Sequence, residues 1–508
     1  MITKLDAAKA LDFYQKWYDQ TNTPERLDHI TKTQDNRRFF YSDQWDKTKQ
    51  EEKSEIGQYM ISLNRTKKYI EGQIGLLTGS TTTVKVHPFG PEDAMMSDIA
   101  NIILANLINN ASERVMHARI LTAGAAENLA YGMVKVNKLG KVCVDCLYNE
   151  EAMPNTEAKD PFFRDAETFY IEKYVAVKKV AAMFNIPESE LSGDYPIEWS
   201  GKVNSEGLQS AINKIYDKHK NFVKVIETYN KEYETIFTKD QEGKDIPSGD
   251  YKVKIVKRII IGYNHCWEET LPEKITVHNL VPFFCVDTAN IYKLGSLEFI
   301  KEQQKLLNAS FGIMLLNAQM SSSAKVLIPE DAIPDNDVLK FKQNFAKVGS
   351  INVTKGDGKE YGEIKVIQPI PLSNAYYQLT TMMMQEMEFN MVPNQLLGMD
   401  MSQNNQTSNV FKNYEVMLNS MRTMFTIYEG YFSVLGKAML QYFFAYTPKE
   451  KIFRLCGADK MLVELQSAID GGLDISNDQT VQDWLAQREE AGDNPHDLKR
   501  FISELTYK

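Results

Sequence analysis

Between Val410 and Tyr442 apolar residues return in steps of four and three without a break: Val410, Tyr414, Met417, Met421, Met424, Tyr428, Tyr431, Leu435, Ala438 and Tyr442. Phe411, Leu418, Phe425, Phe432 and Met439 widen the stripe by one position per heptad. This pattern predicts a helix with a broad buried face over 410–446, roughly 50 Å long at 1.5 Å per residue. A second helix is predicted over 372–392, with Tyr376, Leu379, Met383, Met387 and Asn390 at heptad-like steps. A third covers 295–320. Its first half is amphipathic, and its second half, "FGIMLLNAQM", is apolar nearly all round. A helix apolar on every side must be buried on every side, which neighbouring subunits can supply.

The rest of the chain alternates helix and strand. Residues 1–136 read as mainly helical, including "DAAKALDFYQKWYD" and 58–79, which stops at Gly79. Within them "STTTVKVHPFG" (80–90) alternates like a strand, and 92–132 is a long helical stretch broken near Asn109-Asn110. Residues 133–148 form a hairpin candidate with Leu-Gly at the turn. Residues 149–225 mix loop with a short amphipathic helix at 176–185, and 226–286 are rich in β-branched and aromatic residues, hence in strands. Residues 322–369 form a compact insert between two helices: the strand "AKVLIP", the helix "NDVLKFKQNFAK" and a hairpin with Gly-Asp-Gly at its tip. Its seven Lys balance seven Asp or Glu. The loop "PNQLLGMDMSQNNQTSN" (393–409) separates two strong helices with seven Asn or Gln and one charge, Asp400. Loops of that length are usually functional or disordered. The acidic tail, 459–508, opens a helix with a Ser476…Gln479 capping box.

Length and charge narrow the function. A chain of 508 residues has material for about two to four domains. Its net charge of −10 argues against a static DNA binder, because phosphate contacts dominate such affinity. It leaves room for a protein that must not hold DNA tightly. No run of eighteen apolar residues predicts a membrane span, and the charged opening "MITKLDAAKALDFYQKWYDQ" does not read as a signal peptide. Five thinly spread Cys fit a reducing compartment.

Catalytic motifs are wanting. The Gly-Lys pairs are followed by Val142, Val203, Asp245, Glu360 and Ala438, so no phosphate loop ends in Gly-Lys-Ser/Thr. "CVDC" (143–146) has metal or redox spacing, but on a strand its two cysteines point to opposite faces, and a structural role is the better reading. Glu150-Glu151 and Glu489-Glu490 read as solvated charge. Eleven of the 22 Met lie in 372–446, as adaptable helix filler. No enzyme and no cofactor is expected.

In order, "FFYSDQW", "SLNRTKKYIEGQIGLLTGSTTTVKVHPFG", "AENLAYGMVKV", "DPFFRDAETFYIEKYVAVKKVAAMFN" and "VPFFCVDTANIYKLGSLEFIKEQQKLLNASFGIML" resemble portal, or head-to-tail connector, proteins of tailed bacteriophages, particularly of the short-tailed type. The resemblance implies an α+β, predominantly helical subunit assembling into a ring, most often of twelve copies. It implies a wing over 1–290, a first stem helix over 291–321, a clip over 322–369 and a second stem helix over 370–392. A tunnel loop follows over 393–409, then a long wing-to-crown helix and strand over 410–456 and a short helical crown over 457–508.

The same resemblance implies site residues. In the tunnel loop Asn394, Gln395, Met399, Asp400, Ser402, Gln403, Asn404, Asn405, Gln406 and Thr407 would face transiently and non-specifically bound double-stranded DNA. In the clip Glu330, Asp331, Asp335, Asp337, Lys340, Lys342 and Lys347 would dock the large terminase subunit and then the head-completion or tail adaptor. In the stem Phe311, Met314, Leu315 and Leu316 would pack against the neighbouring subunit. Major capsid and scaffolding proteins are further implied partners, with assembly in the host cytoplasm and a final place at the capsid vertex of the virion. Two other readings stay open: a nucleic-acid enzyme, which would need a phosphate loop or acidic metal cluster, and a helical scaffold or adaptor without a channel.

Overall fold

A computed structural model describes residues 3–46, 48, 50, 51, 60–79, 83–90, 94–137, 140–191, 222–239, 245–262, 264–322, 325–327, 365–367, 374–390 and 421–447. These fall into two compact units, one within Met1–Tyr41, Thr66–Phe299 and Met391–Lys508, the other within Ser42–Arg65 and Ile300–Asn390. About half of the described residues are helical and a substantial share are strand, so the class is mixed α and β, richer in sheet than expected.

The first unit contains a six-stranded antiparallel sheet, ordered β1-β8-β7-β6-β5-β4. Its strands are β1 (Thr3–Lys4), β4 (Ala152–Pro154), β5 (Thr168–Ala176), β6 (Phe222–Lys239), β7 (Asp245–Ile261) and β8 (His265–Thr270). Helices cover both faces, and strand alternation decides which residue meets which. Ile226, Ile260 and Cys266 pack with Ala10 and Trp17 of helix α1 (Ala7–Thr21). Their neighbours Val225, Ile261 and Trp267 point the other way, onto Val177 and Val180 of α6 (Val177–Phe184). The sequence predicts a mix of loop and helix over 149–225; β5 corrects that. Its "TFYIEKYVA" is aromatic and β-branched but adjoins a helix without a breaker, so the boundary is blurred in the sequence.

A smaller sheet of β2 (Ala130–Val136), β3 (Val142–Tyr148) and β9 (Leu280–Phe283) runs in the order β3-β2-β9. The expected hairpin is β2–β3. Gly140 takes a positive φ of 69° at the turn, and the Asn137 side chain accepts from Lys141 N–H at 2.9 Å. The expected helical stretch is α4 (Ala94–Ile108) and α5 (Ala111–Ala126), divided because Asn110 serves as the N-cap of α5 and accepts from Ser112 N–H.

The expected strand over 80–90 is not a strand in the described residues 83–90. The segment is extended, but its partners are side chains of α4. Asn101 accepts from Val86 N–H at 2.6 Å, and Ser97 and Asn101 donate to Val86 C=O. The alternation is real: Val84 and Val86 turn inward while Lys85 and His87 are exposed.

The stripe of the long C-terminal helix is buried from Met421 onward. The described part is Arg422–Tyr446, and Met424, Tyr428, Tyr431, Phe432, Leu435, Ala438, Met439 and Tyr442 are all covered. Tyr431 lies edge-on to Phe283 at 5.6 Å, and its hydroxyl reaches down to Gly132, where an added Cβ would sit 2.6 Å from it. Gln73 of α3 (Arg65–Thr78) donates to Met424 Sδ. Residues 410–420 of the predicted helix lie outside the described residues, as does the tail.

The second unit pairs α8 (Lys301–Ser322) with α9 (Asn374–Asn390). Beyond them β10 (Lys325–Leu327) and β11 (Lys365–Ile367) pair antiparallel, Lys325 against Ile367 and Leu327 against Lys365. The two ends of the insert therefore meet.

Candidate subunit-packing and docking surfaces

Helix α8 carries two unlike faces. One is polar yet buried: Gln304 and Asn308, a turn apart, are almost fully covered. They take the place of a partner strand for residues 63–65. Gln304 Nε2 donates to Leu63 C=O at 2.7 Å, its Oε1 accepts from Arg65 N–H at 3.2 Å, and Asn308 Oδ1 accepts from Leu63 N–H at 3.1 Å. Asn308 Nδ2 then donates to Gln44 Oε1. These part-buried backbone groups would lose their partners without the two amides, which explains polar residues on a covered helix face.

The other face is uncovered in the single chain and, beyond the exposed Glu302–Lys305 pair in its first turns, carries apolar side chains. Leu306 is 54% exposed and Ile313 38%. On α9 Tyr377, Leu379 and Met382 are likewise exposed, while Thr380 and Met387 are buried. Of the expected packing residues, Phe311, Met314, Leu315 and Leu316 are each half-buried. The expected heptad face of 372–392 is thus split: Met387 is covered, Tyr376 and Leu379 are not.

The tunnel-loop residues Asn394 through Thr407, and the clip residues Glu330, Asp331, Asp335, Asp337, Lys340, Lys342 and Lys347, lie outside the described residues. The flanking helices and the β10–β11 pair are described.

Other features escaped sequence reading. Glu150 and Glu151 are not on a solvated face. Arg37 bridges Glu127 at 2.6 Å and Glu150 at 2.5 Å while lying over the Tyr148 ring at 4.6 Å. Burial works against the Arg37 charge, but the bond to Glu127 overcomes it and raises the pKa. Burial also raises Glu127 and Glu151, against the pull of Arg37 and, for Glu151, of the Tyr148 N–H it accepts. Beside this cluster α5 bears small residues, Ala118, Thr122 and Ala126, which floor a cleft of about 250 Å³ walled by Phe40, Tyr41 and Tyr148.

The approach to residue 299 is pinned from several sides. Asn128, buried with a positive φ of 75°, accepts from Gly295 N–H at 3.0 Å and from Asn36 at 3.2 Å. Asn36 also donates to Glu298 at 2.8 Å. Lys293, fully buried, pairs with Asp287 and sits over the Phe163 and Phe284 rings. Only the left-handed Asn128 carried a signal in sequence, since Asn tolerates that conformation.

Cys143 and Cys146 stand on β3. Burial raises Cys143 and pushes Cys146 up to about 12, so both thiols stay protonated near neutrality. Among the described residues no three His, Cys, Asp or Glu converge to hold a metal ion, and no helix is long and apolar enough to cross a membrane.

No curated protein matches the chain. The family model of phage P22-like portal proteins matches residues 15–486, a span that takes in both compact units. The chain belongs to the phage P22-like portal protein family.

Proposed function

We propose that copies of this chain close into a ring, a dodecamer, at one capsid vertex, and that double-stranded DNA is packaged and ejected through its channel. The family match over 15–486 carries this reading. The uncovered apolar face of α8 and α9 supports it, because Leu306, Ile313, Tyr377 and Met382 are side chains that neighbouring copies would cover. In this reading 1–290 is the wing, and 291–321 and 370–392 are the stem. The insert 322–369 is the clip that docks the large terminase subunit and later the tail adaptor. Residues 393–409 form the tunnel loop, 410–456 the helix and strand rising toward the crown, and 457–508 the crown.

A channel through which DNA slides needs weak, even contact. The net charge of −10 and the amide-rich loop suit that: the loop 393–409 holds no Lys or Arg, so its contact releases few counterions, and Asn404 or Gln406 can hydrogen-bond a passing phosphate without clamping it. The motor is then a separate chain.

Negative-stain microscopy of the purified protein tests this. Rings with a central hole roughly as wide as a DNA duplex are expected, and class averages count the subunits. Monomers or dimers under every assembly condition would favour a non-channel scaffold or adaptor instead.

A further inference from the structure

Phe89 is the most exposed large apolar residue among those described, at 104% of its reference area. Its backbone is not loose. The strap 83–90 is clamped at Val86 by Asn101 and Ser97, and Val84 lies against Gly436 of the long helix, 3.0 Å from where a Cβ there would stand. Pro88 fixes φ just before the ring. The chain thus holds an aromatic side chain out in water on a preorganised support. An aromatic anchor whose ordering cost is met before association is how binding hot spots are built.

The same compact unit carries a matching recess. The cleft of about 250 Å³ beside α5 is lined by the aromatic residues Phe40, Tyr41 and Tyr148, by small residues such as Ala118, Thr122 and Ala126, and by the charged Arg119 and Glu127. The walls are braced: Phe40 and Tyr41 stack edge to face at 5.2 Å, and Tyr148 is covered by Arg37, itself held by two carboxylates. Such a site accepts a ring edge-on against aromatic faces.

A ring of identical chains is closed by one head-to-tail contact repeated, so each chain must carry both halves of it. We infer that Phe89 of each chain inserts into the Phe40–Tyr41–Tyr148 cleft of the next copy, forming a knob-and-socket contact between neighbouring subunits. This rests on the ring reading above.

The test replaces Phe89 with the photo-crosslinker p-benzoylphenylalanine in the full chain. Unlabelled and nitrogen-15-labelled copies are mixed during assembly, irradiated, and the cross-linked peptides mapped. Expected are rings, a ladder of covalent oligomers, and mixed-label cross-links to the peptide holding Ala118–Ala126 or to Tyr148. Phe89→Ala should raise the concentration needed for half-assembly by on the order of tenfold. Rings whose cross-links fall elsewhere, on the same chain or on another surface of the neighbour, overturn this inference and leave the ring intact. Absence of rings from the unsubstituted chain overturns the ring reading, and this one with it.

Discussion

Gln304 and Asn308 are hydrogen-bonded to each other at 2.9 Å, and between them they satisfy both the N–H and the C=O of Leu63. A helix face has become the docking edge for an extended segment. Asn308→Ala should therefore remove the side-chain acceptor of Leu63 N–H and one of the hydrogen bonds of Gln44. The expected loss is about 1 kcal/mol, the net worth of a part-buried hydrogen bond. Hydrogen exchange localises it: the Leu63 amide should lose protection while amides of the six-stranded sheet keep theirs.

Gly124 faces backbone rather than a movable side chain. A Cβ there would stand 2.5 Å from Phe283 O and 2.6 Å from its ring. At Gly430 the atoms met are the outer edge of the Phe162 ring. Gly124→Ala is expected to cost about 1–3 kcal/mol, as overpacking does, and Gly430→Ala less. Thermal unfolding of the two variants side by side checks the order.

His117 and His278 are buried, and burial pushes their pKa down to about 4 and about 3. Each folded-state value lies below the unfolded one, about 6.5. Above pH 6.5 neither state is protonated and full stability is present. As pH falls from there toward 4, the unfolded chain takes up protons that the folded chain refuses. Stability then drops by about 1.4 kcal/mol per pH unit per histidine. Glu127 and Glu151, raised by burial, act with the opposite sign. His117→Leu isolates the effect, since neither ring nitrogen of His117 has a hydrogen-bond partner and the ring packs on Phe432. It should make the fall of the urea midpoint between pH 6.5 and 4 shallower, by the share of one histidine, without loss at pH 7.

If the amide-rich loop touches DNA in passing, cations there should make it hold. Asn404→Lys with Gln406→Lys is expected to slow or stall packaging, and added salt should relieve the block. Packaged genome per particle measures it; unchanged packaging would remove the loop from the channel wall.

Deleting 330–347 removes Lys340, Lys342 and Lys347 with their acidic neighbours. Rings should still form but fail to bind the terminase motor in co-sedimentation. Retained binding would place the docking site elsewhere.

Periodicity made the helices legible, because burial repeats with the backbone: Met421 to Tyr442 is buried where the four-and-three spacing puts it. The Asn109-Asn110 break was legible because an N-cap is chemically distinctive. What stayed hidden depends on contacts far apart in sequence. Nothing near residue 86 says that Asn101 and Ser97 will take its backbone bonds from a strand. Nothing near Glu150 announces Arg37, 113 positions away. Phe311, Met314, Leu315 and Leu316 mark the remaining gap: their all-round apolar pattern predicts full burial, and each is half-buried in the single chain.

The pairing of Lys325 with Ile367 has an evolutionary consequence. It brings entry and exit of a segment of some forty residues to one strand spacing, about 4.8 Å. Whatever lies between can lengthen, shorten or be traded for another sequence while α8 and α9 keep their places. If the insert docks the motor and the tail, as proposed above, the docking part is thereby a module, free to follow a changing partner without asking the rest of the molecule to refold.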